Sequence, residues 1–389
     1  MSLTELDKKY IASTYNRFPV EVSHGKGAIL YDKNGKEYID LGSGIGVNAF
    51  GYCDDNWCDA VKEQISQIQH TSNLYYTEPS VKLAKLLCEK TGMKKVFFSN
   101  SGAEANECAI KAARKYASKK KGDEYFTIIT LKNSFHGRTL TTLAATGQDK
   151  FHELYKPLTD GFISIDAEDT DALLTAIKNH KTAAVILECI QGEGGVIPLS
   201  HEYISSVRKI TEENDVLLII DEVQTGNGRT GKLYAYMNYG ITPDIVSTAK
   251  GLGGGLPLGA TLLGEKVENI FDFGDHGSTF GANPVCCAAA LSVLERLTDG
   301  FLDEVRKKSE FLFDFFSDRK GIESVSGMGL MVGLKTTRPA KDVILEAMEN
   351  GVLLLSAKDK VRLLPPLNID IGLLGKAAET IAKICEKEN

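Results

Sequence analysis

Lys250 is the lone lysine of Asp244-Ile-Val-Ser-Thr-Ala-Lys-Gly-Leu-Gly-Gly-Gly255, where it opens a glycine-rich turn. Twenty-nine residues upstream, Asp221 closes the apolar run Val-Leu-Leu-Ile-Ile at 216–220. A hydrophobic strand that carries a carboxylate inward is unfavourable unless the charge is paired or used. A lysine amine stripped of water has a lowered pKa and becomes a good Schiff-base nucleophile. A fixed aspartate keeps the ring nitrogen of pyridoxal 5'-phosphate protonated, so that the ring draws electrons from a substrate carbon. Together the two residues point to amine chemistry on that cofactor.

Other segments offer groups that such chemistry needs, although each also has a plain structural reading. Ser101-Gly102-Ala103-Glu104 opens a helix directly after a strand. Backbone amides there, with glycine permitting close approach, suit a phosphate, but the same residues make an ordinary N-cap. Gly277-Ser278-Thr279-Phe-Gly-Ala-Asn-Pro284 presents hydroxyls and free amides that suit an anion or any turn. In Phe135-His136-Gly137-Arg138 the phenyl ring could stack on a planar cofactor and the guanidinium could clamp a carboxylate. A lone Phe is more often core and a lone Arg more often surface. Gln191-Gly-Glu193-Gly-Gly195 and Val361-Arg362-Leu-Leu-Pro-Pro366 gain weight only in company.

A rival reading lies in Gly226-Asn-Gly228-Arg-Thr-Gly231-Lys232, which satisfies Gly-x-Gly-x-x-Gly and the opening of a P-loop. Leu233 stands where a magnesium-binding Ser or Thr belongs, and the acidic strand precedes the loop instead of following it. No acid closes a second strand at dinucleotide spacing. A structural glycine turn is expected, with a nucleotide-binding protein as the alternative from another class.

The elements that must position these groups are legible as alternating apolar runs and helical patterns. Val96-Phe-Phe-Ser99 leads into a helix reaching about Lys119, and 126–130, 183–187, 216–220, 245–247 and 260–263 read as further buried strands. Uninterrupted apolar strands between helices indicate a sheet covered on both faces, hence an α/β core with ligands beyond the strands' carboxyl ends. Gly102, His136, Gln191, Asp221 and Lys250 each follow such a strand. Residues 27–41 read as a hairpin with an Asn34-Gly35 turn. After Pro284 the chain becomes helical, then mixed from about Gly321. The expected organisation is a segment 1–50 that joins a small domain, a large domain 51–284 and a C-terminal small domain 285–389.

With 389 residues, 43% hydrophobic and 25% charged, the composition is that of an ordinary globular protein. The net charge of −7 comes with no basic run long enough for a nucleic-acid track, since Lys119-Lys120-Lys121 suits the last turn of a helix. Eight cysteines occur without Cys-x-x-Cys pairs or histidines at ligand spacing, so no metal set is expected and a reducing compartment is. The N-terminus has no signal-like apolar core, and no apolar stretch approaches membrane-spanning length. A cytoplasmic protein without nucleic-acid or membrane partners is expected.

Taken together, the motifs resemble the class III (ω-amino) aminotransferases of fold type I, nearly end to end. Most specific is Asp221-Glu-Val-Gln-Thr-Gly226 followed by Pro243-Asp-Ile-Val-Ser-Thr-Ala-Lys250-Gly-Leu-Gly-Gly-Gly255, in company with 101–107, 135–138 and 277–284. Thr14-Tyr-Asn-Arg-Phe-Pro-Val20, His70-Thr-Ser-Asn-Leu-Tyr-Tyr-Thr-Glu-Pro79 and Gln191-Gly-Glu-Gly-Gly-Val-Ile-Pro198 bring it nearest to members whose amino donor is N2-acetylornithine. The resemblance implies a large domain with a mainly parallel seven-stranded sheet and a smaller α+β domain built from both termini. It implies Lys250 as Schiff-base lysine and proton shuttle, Asp221 on the pyridine nitrogen, Val223 against the ring, Gln224 on the ring hydroxyl and Phe135 over the opposite face. Amides of Gly102 and Ala103 would take the phosphate. Thr279, with Ser278, would reach the neighbouring subunit's site and make a homodimer obligatory.

On the substrate side the resemblance implies a donor that gives its ω-amine to the cofactor, and 2-oxoglutarate that takes it and leaves as glutamate, as in arginine biosynthesis. Arg138 would hold the donor's α-carboxylate. Arg362 would hold 2-oxoglutarate and pair with Glu193 when no dicarboxylate is bound, because an unpaired buried arginine is unfavourable. N-succinyl-diaminopimelate, ornithine and 4-aminobutyrate are the alternative donors. Ile45 stands where the ornithine-using pattern has tyrosine, and His136 where it has tryptophan; both disfavour free ornithine, while Ile45 remains compatible with 4-aminobutyrate. Ala282 replaces a second glycine of the family pattern, a change of one methyl. A non-catalytic binding protein of this fold would lack Lys250 or Asp221, and both are present.

Overall fold

The structure, a computed structural model, describes residues 2–387. Seven strands form the central sheet in the order Lys95–Ser99, Gly259–Leu263, Ile245–Thr248, Leu217–Asp221, Thr182–Leu187, Thr127–Leu131 and Phe162–Ile165. Only Gly259–Leu263 runs against its neighbours; the remaining pairings are parallel. This is the expected α/β fold with a mainly parallel seven-stranded sheet. Every residue of Thr127–Leu131, Thr182–Leu187 and Leu217–Asp221 is buried, as a sheet covered on both faces demands. The strand Phe162–Ile165, less buried and on the sheet's edge, was not among the runs that patterning picked out.

The helix Gly102–Lys121 lies on this sheet and extends two residues past its expected end. Ala105, Ala109, Ala112 and Ala113, all buried, keep its inner face slim enough for close approach to the strands. Ser101 caps it by accepting the Glu104 amide at 3.2 Å, and the three lysines finish its last turn.

The chain's two ends meet in one sheet. Val22–Lys26, Ile29–Asp32 and Glu37–Asp40 form an antiparallel meander, and Val352–Leu353 adds in parallel to the last of them. The expected hairpin therefore has a further strand before it. Its turn holds Asn34-Gly35 as expected: Gly35 has a positive φ, of 82°, and Asp32 Oδ1 accepts the amides of Asn34 (2.8 Å) and Lys36 (2.9 Å). An aspartate side chain, instead of two left-handed residues, closes the turn. A second antiparallel sheet orders Ile322–Met328, Met331–Thr336, Lys360–Leu363 and Leu355–Ala357, and carries Arg362. The helix Pro284–Leu294 packs on Asp55–Gln67 and Glu78–Thr91, so by contact it groups with elements that precede it. Among the described residues no helix is long and apolar enough to cross a membrane.

The glycine loop at 226–232 is filled by the protein itself. Arg229 is buried and donates to the carbonyls of Leu330 (3.1 Å) and Pro365 (2.5 Å), while Asn227 donates to Thr248 Oγ1 and to the Ala249 carbonyl, each at 3.1 Å. Leu330 N returns a bond to the Arg229 carbonyl at 2.9 Å. The amides that a nucleotide phosphate would need are spent within the loop and its flanks, since those of Gly226, Gly228, Arg229 and Gly231 donate to the carbonyls of Glu222, Leu233, Gly226 and Gly228.

Candidate active site

A cavity of about 440 Å³ opens beyond the carboxyl ends of the parallel strands. Its walls bring together Gly102, Ala103, Phe135, Arg138, Glu193, Asp221, Val223, Gln224 and Lys250. Among the described residues Lys250 Nζ makes no hydrogen bond or ion pair. Burial, the largest effect, lowers its pKa to about 8 against the raising pull of Glu193. The backbone of Lys250 has a φ of 45°, an outlier that the flanking strand and glycine turn must impose.

Opposite it, the Asp221 carboxylate is fixed from several sides. Oδ2 accepts Asn106 Nδ2 at 2.7 Å and faces His136 Nδ1 at 2.8 Å, and Oδ1 accepts the Val223 amide at 3.0 Å. Ser247 Oγ donates to Asn106 Oδ1 at 2.5 Å, which orients that amide. Burial opposes charging His136, but the bond and charge of Asp221 outweigh it and the net shift is upward. The His136 proton thus sits on Nδ1, and Nε2 is buried without a partner.

The residues fit pyridoxal phosphate on several independent points. Gly102 cannot carry a side chain, because a Cβ there would lie 2.6 Å from Val223 Cγ1. The amides of Gly102 and Ala103 open a helix of 20 residues, the natural place for a phosphate. A fixed carboxylate, an amine of lowered pKa and an aromatic ring share the same cavity. Phe135 is held by its backbone, whose amide donates to Glu188 Oε2 at 3.0 Å.

Arg362 lies behind the cavity wall, 3% exposed, and reaches it through two partners. Its Nη1 donates to Glu193 Oε1 at 2.5 Å and to Gln224 Oε1 at 3.0 Å, and Gln224 Nε2 in turn donates to Glu193 at 3.3 Å. Despite burial, the Arg362 charge and bond leave the Glu193 carboxyl below its ordinary range. Gly192 makes room for this knot, since a Cβ there would fall 2.4 Å from Gln224 Oε1. Arg138, in contrast, is exposed at the cavity mouth and has no acidic partner among the described residues.

Ser278 and Thr279 are not in this cavity. They line a neighbouring hollow with His276 and Phe280, and Ser278 Oγ touches the main cavity only by accepting Asn100 Nδ2 at 3.1 Å. Gln191 is buried in a two-residue strand and donates to the Lys132 carbonyl, away from the site. Sequence reasoning missed the roles of Asn106, Glu188 and Val47. Val47 follows a turn in which Ser43, Gly44, Ile45 and Gly46 all have positive φ, and Asp40 holds that turn by accepting the amides of Gly42 and Ser43. A β-branched residue in that region is strained, and no local pattern announces it.

Glu222, beside Asp221 but outside the cavity lining, is fully buried and bonds Thr225 Oγ1 and the Tyr236 amide. Burial raises its pKa to about 7. A carboxyl whose folded pKa exceeds its unfolded value stabilises the fold below the unfolded value and loses that contribution as pH rises through the folded one. Thermal melts at pH 5 and pH 8 should therefore show a smaller fall in Tm for Glu222→Gln than for the unaltered protein. Equal falls would mean that Glu222 is already ionised at pH 5.

The chain belongs to the class III aminotransferases: the profile of the family described as Aminotransferase class-III matches residues 10–385. It is a pyridoxal-phosphate-dependent aminotransferase. It is 50% identical over 384 residues to the acetylornithine aminotransferase of Haemophilus ducreyi, covering 98% of each chain. It superposes on the N-acetylornithine aminotransferase of Stenotrophomonas maltophilia K279a with a TM-score of 0.86 and 34% identity, covering 98% of both chains. An ornithine aminotransferase of Toxoplasma gondii, with partial occupancy of PLP at its active site, matches at a TM-score of 0.93 and 31% identity, over 98% of this chain and 93% of that one.

Proposed function

We propose that this chain transfers the ω-amino group of N2-acetylornithine to 2-oxoglutarate, giving N-acetylglutamate 5-semialdehyde and glutamate, as a step of arginine biosynthesis. The observation that carries the reading is the unequal state of two arginines at one cavity: among the described residues Arg138 has no acid, and Arg362 is latched to Glu193. A donor with one carboxylate needs the first, and a dicarboxylate acceptor needs the second as well. The acylated donor is favoured over free ornithine because, among the described residues, each acid of the lining already has partners, Glu188 by accepting the Phe135 amide. Asp221 is held by His136 and Asn106, Glu193 by Arg362, and Glu188 has its pKa raised to about 7, chiefly by burial. The identity to the Haemophilus ducreyi enzyme supports the same donor.

In this reading pyridoxal phosphate, when bound, supplies an electron sink conjugated to the substrate carbon that loses its proton. Lys250 Nζ would take that proton from the substrate carbon and hold it for return. Asp221 would hold the ring nitrogen, Gln224 the ring hydroxyl and the amides of Gly102 and Ala103 the phosphate, while Val223 and Phe135 would pack against the ring. Arg138 orients the donor by its α-carboxylate, so that the far amine meets Lys250. The enzyme works as a homodimer in the cytoplasm, with Thr279 reaching the partner's cofactor and Ser278 its substrate. Leu74, Tyr75, Tyr76 and Phe280 are large exposed apolar side chains that such an interface would cover, and all eight cysteines are free.

The test is a visible spectrum of the purified holoenzyme. N2-acetylornithine without keto acid should bleach the cofactor's visible band, and 2-oxoglutarate should restore it. Indifference to acetylornithine together with bleaching by ornithine, 4-aminobutyrate or a succinylated donor would replace the substrate and keep the amine transfer.

A further inference from the structure

Arg138 is supported by rings. Its guanidinium carbon lies 4.1 Å from the centroid of Phe151 and 5.6 Å from that of Phe135. The two rings meet edge to face at 75°, with centroids 6.1 Å apart. Phe151 ends the short turn Asp149–Phe151, and the next residue, His152, anchors that turn through Nε2 to the Leu143 carbonyl at 2.9 Å. The same ring carries Lys150 Nζ at 4.8 Å, a second cation beside the cavity mouth.

We propose that Phe151 is the positioning residue that sets the carboxylate-binding geometry of Arg138. The inference rests on the reading that Arg138 receives the donor's α-carboxylate. A carboxylate binds a guanidinium in the guanidinium plane, through two parallel N–H bonds, whereas a ring attracts it through its face. The two interactions are compatible, so Phe151 can hold the arginine still while leaving its fork open. An acid at position 151 would hold it as firmly but would occupy the fork and compete with the substrate. Without the ring, an exposed arginine with no ionic partner would spread over many rotamers, and binding would have to order it again. Contact of Phe151 with Phe135 ties the arginine to the same wall that would cover the cofactor ring, so the carboxylate clamp and the ring share one reference surface.

The experiment uses holoenzyme with Phe151→Met, which keeps volume but removes the π-face, and Phe151→Tyr, which keeps the face. Calorimetric dissociation constants are compared for N-acetylnorvaline, which has the α-carboxylate but no amine to transfer, and for its uncharged amide. Phe151→Met should weaken the acid about tenfold, the scale of a partly desolvated cation–π contact, and leave the amide unchanged; Phe151→Tyr should restore the acid. KM for N2-acetylornithine should rise by a similar factor with kcat little altered, and the cofactor's dissociation constant should not move. Equal weakening of acid and amide, or loss of cofactor affinity, would overturn the proposal in favour of a merely structural ring. Arg138→Met is the control. If it abolishes the acid's advantage while Phe151→Met keeps it, this inference alone fails; if it leaves that advantage intact, the reading of Arg138 fails too.

Discussion

Lys250→Ala is expected to lower turnover about 10⁴-fold, the upper range for loss of a positioned acid–base group, while the protein still folds and takes up pyridoxal phosphate. Its Nζ is the one lysine amine in the cavity lining, and burial has brought its pKa to about 8. An amine must be neutral to accept a proton, so the unaltered enzyme should gain activity as pH rises through about 8. That limb should vanish in Lys250→Ala and return in part when a small primary amine is added, now at that amine's own pKa. The substitution should affect stability in the opposite sense to activity. A lysine whose folded pKa lies below its unfolded value binds its proton more weakly when folded, so below about 8 it opposes folding, and the opposition fades as pH rises toward 10.5. Without cofactor, the alanine variant should therefore melt above the unaltered protein at pH 7. Single-turnover decay of the cofactor's visible band with N2-acetylornithine measures the rate; retention of a tenth or more of it would remove Lys250 from the proton transfer.

Much of this arrangement was legible because it is local. The apolar run before Asp221 and the glycines after Lys250 are properties of short stretches, and a parallel sheet places the carboxyl ends of its strands on one edge whatever the loops do. The side chains that hold Asp221 are not local. Asn106 lies 115 residues from it and His136 lies 85, so their bonds follow from strand order and not from spacing. The chemistry of Glu188 depends on its being fully enclosed beside Phe135, and a glutamate in sequence is most often solvated. Gly192 looked like one glycine among several, yet the reason for it is the amide of Gln224, which comes from another strand end. The Asn34-Gly35 turn was legible from its dipeptide, but the way it closes was not, because the preceding Asp32 side chain accepts two of its amides. Where physics is pairwise and distant, pattern names the residue without its task.

Arg362→Leu should separate the two halves of the reaction. The 2-oxoglutarate half is expected to slow about 10²–10³-fold, the range for truncating one partner of a buried charged pair, while the donor half changes little. The argument starts from what Arg362 touches. Its Nη1 is bonded to Glu193, Gln224 and the Gly192 carbonyl, and its buried Nε has no partner, so the guanidinium is held in register with donor capacity to spare. Side-chain exposure of Glu193 is 33% against 4% for Arg362, so the carboxylate can turn into water while the arginine cannot leave. A dicarboxylate that enters replaces Glu193 on a guanidinium already aimed, and the displaced acid is solvated rather than stranded. For the same reason the leucine variant should fold, since the acid it orphans is not fully buried. Glu193→Ala completes the argument. It removes the competitor but leaves Gln224 Oε1 to hold Arg362 at 3.0 Å, so 2-oxoglutarate should react as fast or faster. The donor half should suffer instead, because an uncovered Arg362 attracts the donor's carboxylate to the wrong end of the cavity. Stopped-flow rates for each half with each variant decide the matter: if Glu193→Ala slows the 2-oxoglutarate half far more than the donor half, Glu193 is a ligand-binding group and not a latch.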